Sequence, residues 1–166
     1  MPSHSSDKEV VMPVKTILGL DAKLYRNSGT YVSPTWSEIP NVKDLSLTLE
    51  KSEADVSTRA SAWSLVKGAL KSATIDFNMV YDPGDTNWAA FKAAYLGNTP
   101  VECAILDGGV AVDGTEGLRA SCEVLKWSHT QNLEEALMTE ISLKPTRAEN
   151  APEWMVVDDG TTTTGA

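Results

Sequence analysis

Histidine and cysteine are scarce. The 166-residue chain holds two of each, which removes most of the side chains that ligate transition metals or act as general bases near neutral pH. His4 and His129 have no Cys, His or carboxylate at ligand spacing, so no metal site is expected. Cys103 and Cys122 are too few for a disulfide scaffold, and both sit in apolar-alternating segments. They read as small buried hydrophobes of a reducing compartment. Basic charge is short as well: 14 Lys and Arg stand against 23 Asp and Glu, a formal net charge of −9. A surface that holds nucleic acid needs clustered cations to displace counterions, whereas an acidic excess repels phosphate. No apolar run approaches the roughly 20 residues of a membrane-spanning helix. The first residues, MPSHSSDKEVVMPV, show no basic segment followed by an apolar one. The reading is a chain made in a cytoplasm, with no membrane partner.

Chemistry-bearing motifs are missing too. There is no G-x-S-x-G elbow and no glycine loop placed to cradle phosphate ahead of a helix. DGGVAVDG lacks the D-x-D-x-D-G spacing of a calcium loop and reads as a hairpin tip. Glu149 and Glu153, in ENAPEW, read as solvated tail residues. No catalytic residue, cofactor or metal ligand is assigned, and the chain reads as no enzyme.

What is present is alternation. In Val42 to Glu50, Leu45, Leu47 and Leu49 face one way and Asp44, Ser46, Thr48 and Glu50 the other. In Leu70 to Tyr81, Ala73, Ile75, Phe77, Met79 and Tyr81 oppose Thr74, Asp76 and Asn78. Val14 to Arg26, Trp36 to Ile39, Val101 to Leu106, Leu118 to Trp127 and Leu137 to Lys144 read as further strands. One helix is expected in DPGDTNWAAFKAAYLGN, capped by Asp85 and ended by Gly97, with Trp88, Phe91 and Tyr95 on its apolar face. The sum is a mainly β domain over 14–145: an antiparallel sandwich or partly rolled barrel with one flanking α-helix. Residues 1–13 read as a flexible N-terminal arm and 146–166 as a polar C-terminal tail, with Pro145 ending the ordered alternation.

Trp88 belongs to the helix core. Trp36, Trp63, Trp127 and Trp154 fit either a sugar-binding platform or packing at the core edge and against a neighbouring subunit. They are scattered along the chain with no accompanying polar cluster, which favours packing; a carbohydrate-binding module stands as the alternative from another functional class.

The odd stretch is 51–69, which starts KSEADVSTRASAW. A long polar excursion between two strong strands is uncommon in a small domain unless it functions. Lys51 and Arg59 balance Glu53 and Asp55, and Trp63 follows. That mixture suits an arm laid onto another protein, with Arg forking onto a carboxylate and Trp filling a pocket. The other reading is a long solvated β-hairpin.

The run IPNVKDLSLTLEKSEADVSTRASAW, the strand LKSATIDFNMVYDP, the helix DTNWAAFKAAYLGNTPVECAILDG, and then GLRASCEVLKWS and EALMTEISLKP together resemble the major tail tube proteins of long-tailed phages. The resemblance runs from about Lys15 to Pro145, and its most specific piece is Asp55-Val56-Ser57-Thr58-Arg59-Ala60-Ser61 with Trp63. It implies a structural virion protein of the tail. Six copies form a ring, rings stack into a hollow conduit for DNA, and the long loop 51–69 serves as an assembly arm. The partners implied are the chain itself and the tail terminator, tape measure and baseplate or tip proteins, with DNA passing through unbound. A related secretion or contractile inner tube is the close alternative. If the alternating sheet is the one lining the bore, Asp44, Ser46, Thr48, Glu50, Thr74, Asp76, Asn78, Ser121, Glu123, Glu140 and Ser142 face it. Arg119 and Lys144 are the basic exceptions in a negative lining.

Overall fold

The computed structural model describes residues 16–158 and, for the backbone alone, 161–164. The expected N-terminal arm, residues 1–13, lies outside the described residues, as do 159–160 and 165–166 of the tail. The elements are β1 (Lys23–Asn27), β2 (Trp36–Glu38), β3 (Val42–Asp55), β4 (Val66–Val80), α1 (Thr86–Gly97), β5 (Val101–Leu106), β6 (Glu116–Thr130), β7 (Met138–Pro145), β8 (Glu153–Asp158) and β9 (Thr161–Thr164). Every strand pair is antiparallel, in the order β2-β1-β5-β6-β7-β4-β3. β6 forks the sheet: its first residues, 116–119, pair with β8, and its remainder pairs with β7. The sheet curls on itself, because Leu45 and Leu47 of β3 share a cleft with Ile105 and Leu106 of β5, four strands away in the order. This is the expected mainly β architecture with one helix.

One face of the curled sheet gathers the main core. Leu24, Ile75, Phe77, Met79, Ile105, Leu118, Cys122, Ile141 and Leu143 meet there under Trp88 and Phe91 of the helix. The alternation of β4 and β6 sorts these residues inward as the period of two requires. Asp85 caps the helix, its Oδ1 accepting from the Asn87 amide at 3.0 Å. The left-handed residue at the other end is Asn98, not Gly97 (φ 50°, ψ 42°). Asn tolerates that region because its short polar side chain satisfies local backbone. Tyr95 is not core: it stands exposed and stacks on Trp127, with ring centroids 6.5 Å apart.

Three local expectations change. First, among the described residues 16–22 there is no strand; Gly19–Asp21 is a 3₁₀ turn and pairing begins at Lys23. Second, order does not stop at Pro145. β8 carries Met155 and Val157, both buried, into a second cluster with Tyr25, Ala104 and Leu106 on the outer face of the sheet. That face is apolar where β1, β5 and the start of β6 meet, so only the β3-β4-β7 half has an open polar side. Third, β6 begins at Glu116, ahead of the expected start at Leu118, and meets β5 so closely at Gly117 that an added Cβ would lie 1.7 Å from the Ile105 carbonyl oxygen, which explains a glycine within a strand.

Cys103 and Cys122 are fully buried and unpaired. Burial pushes the Cys103 thiol well up and the Cys122 thiol up to about 12, so neither supplies thiolate near pH 8. The native protein is expected to show no fast-reacting thiol with an aromatic disulfide reagent at pH 8, and two after denaturation in urea. Rapid labelling of the native chain would contradict this packing.

Candidate functional site

The hairpin of β3 and β4 is longer than the sheet it belongs to. Its base is tied into the core through Ile75, Phe77 and Met79, and β7 pairs with β4 only over 75–80. Beyond Leu49 on one strand and before Ala73 on the other, all residues are exposed except Ser61, which is half-buried. The stretch 51–69 is therefore not a free loop. Residues 51–55 and 66–69 continue the ladder, through Glu53 opposite Gly68 and Asp55 opposite Val66, and only 56–65 turn. No face of the ribbon is buried, so no alternation marks these residues as strand.

Short polar side chains hold the ribbon in shape. Ser52 Oγ bridges Leu70, accepting from its amide at 3.0 Å across an irregularity in the register. Ser57 Oγ accepts from the Leu65 amide at 2.9 Å, and the Val56 amide donates to the Leu65 carbonyl at 2.9 Å. The Ser57 hydroxyl, and then its amide, hold the Asp55 carboxyl below its ordinary value. Ser61 Oγ accepts from the Trp63 amide at 3.1 Å. The arm is thus shaped but, among the described residues, unsupported.

Every arm residue singled out from the sequence, Lys51, Glu53, Asp55, Arg59 and Trp63, lies on this exposed ribbon. Trp63 is 79% exposed. None of the four charged residues forms an ion pair among the described residues. Leu49, Val56, Leu65, Val66 and Leu70, spread along the same ribbon, are exposed as well. Burying a large apolar side chain is worth about 1.5–3 kcal/mol, and this arm leaves several in water. Among the described residues β3 pairs only with β4, so its outer edge also presents unpaired backbone, a template for another chain.

The polar face of β3-β4-β7-β6 is read from the register. Lys43, Asn78, Glu140 and Ser128 form one row, and Ser46, Asp76, Ser142 and Lys126 the next. Thr48 sits opposite Thr74, Glu50 opposite Ser72, and Glu123 opposite Lys144. Two bulges revise the expected lining. Asp44, with φ 52°, is the extra residue between Lys43 and Ser46. It turns out of the face and lines a cavity with Leu24, Glu38 and Leu45. Lys43 takes the place in the row, and the irregularity between Val124 and Lys126 brings Lys126 in as well. The face is consequently mixed in charge. Arg119 is no exception on it, being 4% exposed and on the covered part of the sheet.

Arg119 instead anchors a polar network that sequence reading missed. Its Nε donates to Glu102 Oε1 at 2.5 Å and its Nη2 to the Tyr31 carbonyl at 2.7 Å. The guanidinium lies over the Tyr31 ring at 4.0 Å and the Trp36 ring at 5.1 Å. Asn27 Nδ2 donates to the other Glu102 oxygen at 2.6 Å, and Asn27 Oδ1 accepts from the Gly29 and Thr35 amides. The Tyr31 hydroxyl donates to Glu153. Burial first, and that hydrogen bond second, push Tyr31 up to about 12. Glu153 is therefore no solvated tail residue. The only hint in the sequence is one Glu and one Arg at apolar-flanked positions of successive strands. Among the described residues no cluster of His, Cys, Asp or Glu is placed to hold a metal ion, and no helix is long and apolar enough to cross a membrane.

Solved structures share this fold. The chain matches a subunit from the tail of an empty gene transfer agent (GTA) particle, determined with C6 symmetry, at a TM-score of 0.66 with 14% identity. That match covers 86% of this chain and all of the other. It matches a subunit of the SPP1 tail tube at 0.65 with 14% identity, over 78% of this chain and 75% of that one. A subunit of the PVC sheath–tube complex, an extracellular contractile injection system in its extended state, gives 0.60 with 13% identity, over 94% and 100%. No protein-family model and no curated protein matches the chain. At these identities the likeness establishes the fold, which is one found in tail and tube subunits.

Removing one partner of a buried ion pair costs about 3–5 kcal/mol. Arg119→Met should lower unfolding stability in urea by about 3 kcal/mol, leaving Glu102 buried without its cation. A loss under about 1 kcal/mol would show that the network is not fastened through Arg119.

Proposed function

We propose that this chain is a structural subunit of a hollow tail tube, assembling with copies of itself into a conduit for DNA in a phage-type virion. The observation that carries the reading is the β3-β4 arm, an ordered ribbon with an apolar, unpaired tip, set in a fold shared with tail and tube subunits. In a tube, the open edge of β3 pairs with a neighbouring copy around a ring. The arm then reaches onto a further copy, and its apolar side chains find the second layer that they lack in the monomer. Closed symmetry limits the ring, whereas stacking is open-ended and needs a length-setting partner. A tail terminator, a tape measure and a baseplate fill those roles in this reading, and six copies per ring is the number the sequence resemblance implies. The likeness to the PVC complex supports a second, closely related reading as the inner tube of a contractile injection device.

The polar face of β3-β4-β7-β6 is assigned to the bore. It carries Glu50, Asp76, Glu123 and Glu140 against Lys43, Lys126 and Lys144, so its lining is weakly anionic and offers no cationic cluster to hold phosphate.

Negative-stain microscopy of the purified protein is expected to show rings or tubes. Replacing 51–71 by Asn-Gly, a turn suited to joining the Glu50–Ser72 pair, should leave the urea midpoint unchanged and abolish stacking. Wild-type protein that stays as single particles at high concentration would refute the tube. For the lining, tubes of an Asp76→Lys, Glu140→Lys variant should retain short duplex DNA in a sedimentation assay at low salt, while wild-type tubes release it. Equal retention would remove this face from the bore.

A further inference from the structure

From Val56 to Ile75 the chain carries Arg59, Lys67 and Lys71 and no acidic residue, within a protein of formal charge −9. The same stretch presents exposed Val56, Trp63, Leu65, Val66 and Leu70. Glu53 and Asp55 of the facing strand lie opposite Gly68 and Val66, so the ribbon 51–71 carries four cations, Lys51, Arg59, Lys67 and Lys71, against two carboxylates. The arm is apolar with a modest cationic excess, and none of these cations is in an ion pair among the described residues.

The complementary chemistry lies elsewhere on the molecule. A cleft of about 320 Å³ opens between β3 and the β5-β6 hairpin, lined by Leu45, Leu47, Ile105 and Trp154, with Asp107 and Glu116 at its margin. Trp154 is exposed there. An adjoining cavity of about 220 Å³ shares Asp107 and adds Asp21. Apolar walls with Asp107 and Glu116 in the lining suit an apolar ribbon on which cations outnumber carboxylates four to two. The arm cannot fill the cleft of its own chain. Val56 lies nine residues beyond Leu47 in a chain that is strand up to Asp55, which places it about 30 Å away at roughly 3.3 Å per residue.

We propose that this cleft is the receptor for the arm tip of a second copy. Trp63 and Leu65 enter against Leu47, Ile105 and Trp154, while Arg59 and Lys67 meet Glu116, Asp107 and Asp21. The pairing rests on the tube reading and adds to it both the docking surface and a mode of control. The tip contact is steered by opposite charge and weakened by salt, whereas pairing along the β3 edge is made by backbone groups that salt screens little.

The test is charge reversal with rescue. The wild type, Arg59→Glu with Lys67→Glu, Asp21→Lys with Glu116→Lys, and the fourfold variant are compared by sedimentation for the concentration at which tubes form, at low and high salt. Circular dichroism and urea midpoints confirm that each is folded. Each twofold reversal is expected to raise the assembly concentration about tenfold or more, and the fourfold variant to return within about threefold of the wild type. Wild-type tubes that ignore reversal at the cleft overturn the pairing alone. So does a tip reversal without rescue, which assigns the tip to a different acidic partner such as an anionic membrane. If deleting residues 1–15 removes the effect of cleft reversal, the cleft belongs to that segment and the pairing fails. Absence of any wild-type assembly overturns the tube reading and the pairing with it.

Discussion

A two-stranded ribbon in water has nothing to press its side chains against. Its ladder hydrogen bonds replace bonds to solvent at little net gain, and isolated hairpins are marginal for that reason. The distal half of β3-β4 is such a ribbon, yet it is drawn out of a sheet whose proximal half is locked by Ile75, Phe77 and Met79, all essentially inaccessible. The core therefore holds the base of the arm in a fixed direction, and among the described residues nothing covers the apolar tip. Large side chains such as Leu70 and Trp63, at 81% and 79% exposure, are costly to solubility unless another surface receives them. The proposed assembly role follows from that mismatch between a strand pair and the sheet that supports it.

Rigidity in the body is what makes the mismatch useful. β6 runs through both halves of the curled sheet, pairing β5 and β8 at one end and β7 at the other. The Arg119 network then ties the segment 28–35, β5 and β8 to that strand with bonds that are short and largely withdrawn from water. The outer face is thereby sealed on the side of β1 and β5 and left polar on the side of β3, β4 and β7. In the proposed tube this asymmetry is useful, because only one sheet face would stay wet once neighbours are in place.

Much of this was readable beforehand, and the exceptions have definite causes. The inward sets of β4 and β6 obey a period of two, and Asp85 ahead of the helix supplies a clear cap. The outer reaches of the arm carry no strand signal because a strand with no buried face leaves no alternation in its sequence. β8 was missed since a single short alternation, EWMVVD, follows a proline and lies in polar surroundings. The bulges at Asp44 and beyond Val124 were invisible for a different reason. One extra residue shifts which side chains share a face, and only the partner strand reveals it. The pairing of Glu102 with Arg119 likewise depends on register, which composition does not encode.

Those bulges have a consequence for the polar face. Without them the alternation would give Asp44, Ser46, Thr48 and Glu50 in line with Thr74, Asp76 and Asn78, an almost wholly acidic or neutral surface. With them, Lys43 and Lys126 join the rows. Two of the three cations have a carboxylate beside them: Lys126 binds Glu140 at 2.9 Å and Lys144 lies opposite Glu123, while Lys43 stands singly opposite Asn78. Exposed pairs of this kind contribute little to stability, but they prevent any run of unpaired positive charge. Under the proposed reading, a conduit for a polyanion has two ways to avoid retaining it, uniform repulsion or local neutralisation, and the register of this sheet suits the second. Neutralised rows do not act as a barrier to entry, as a strongly negative bore would, and still leave phosphate without a multivalent site at which to stop.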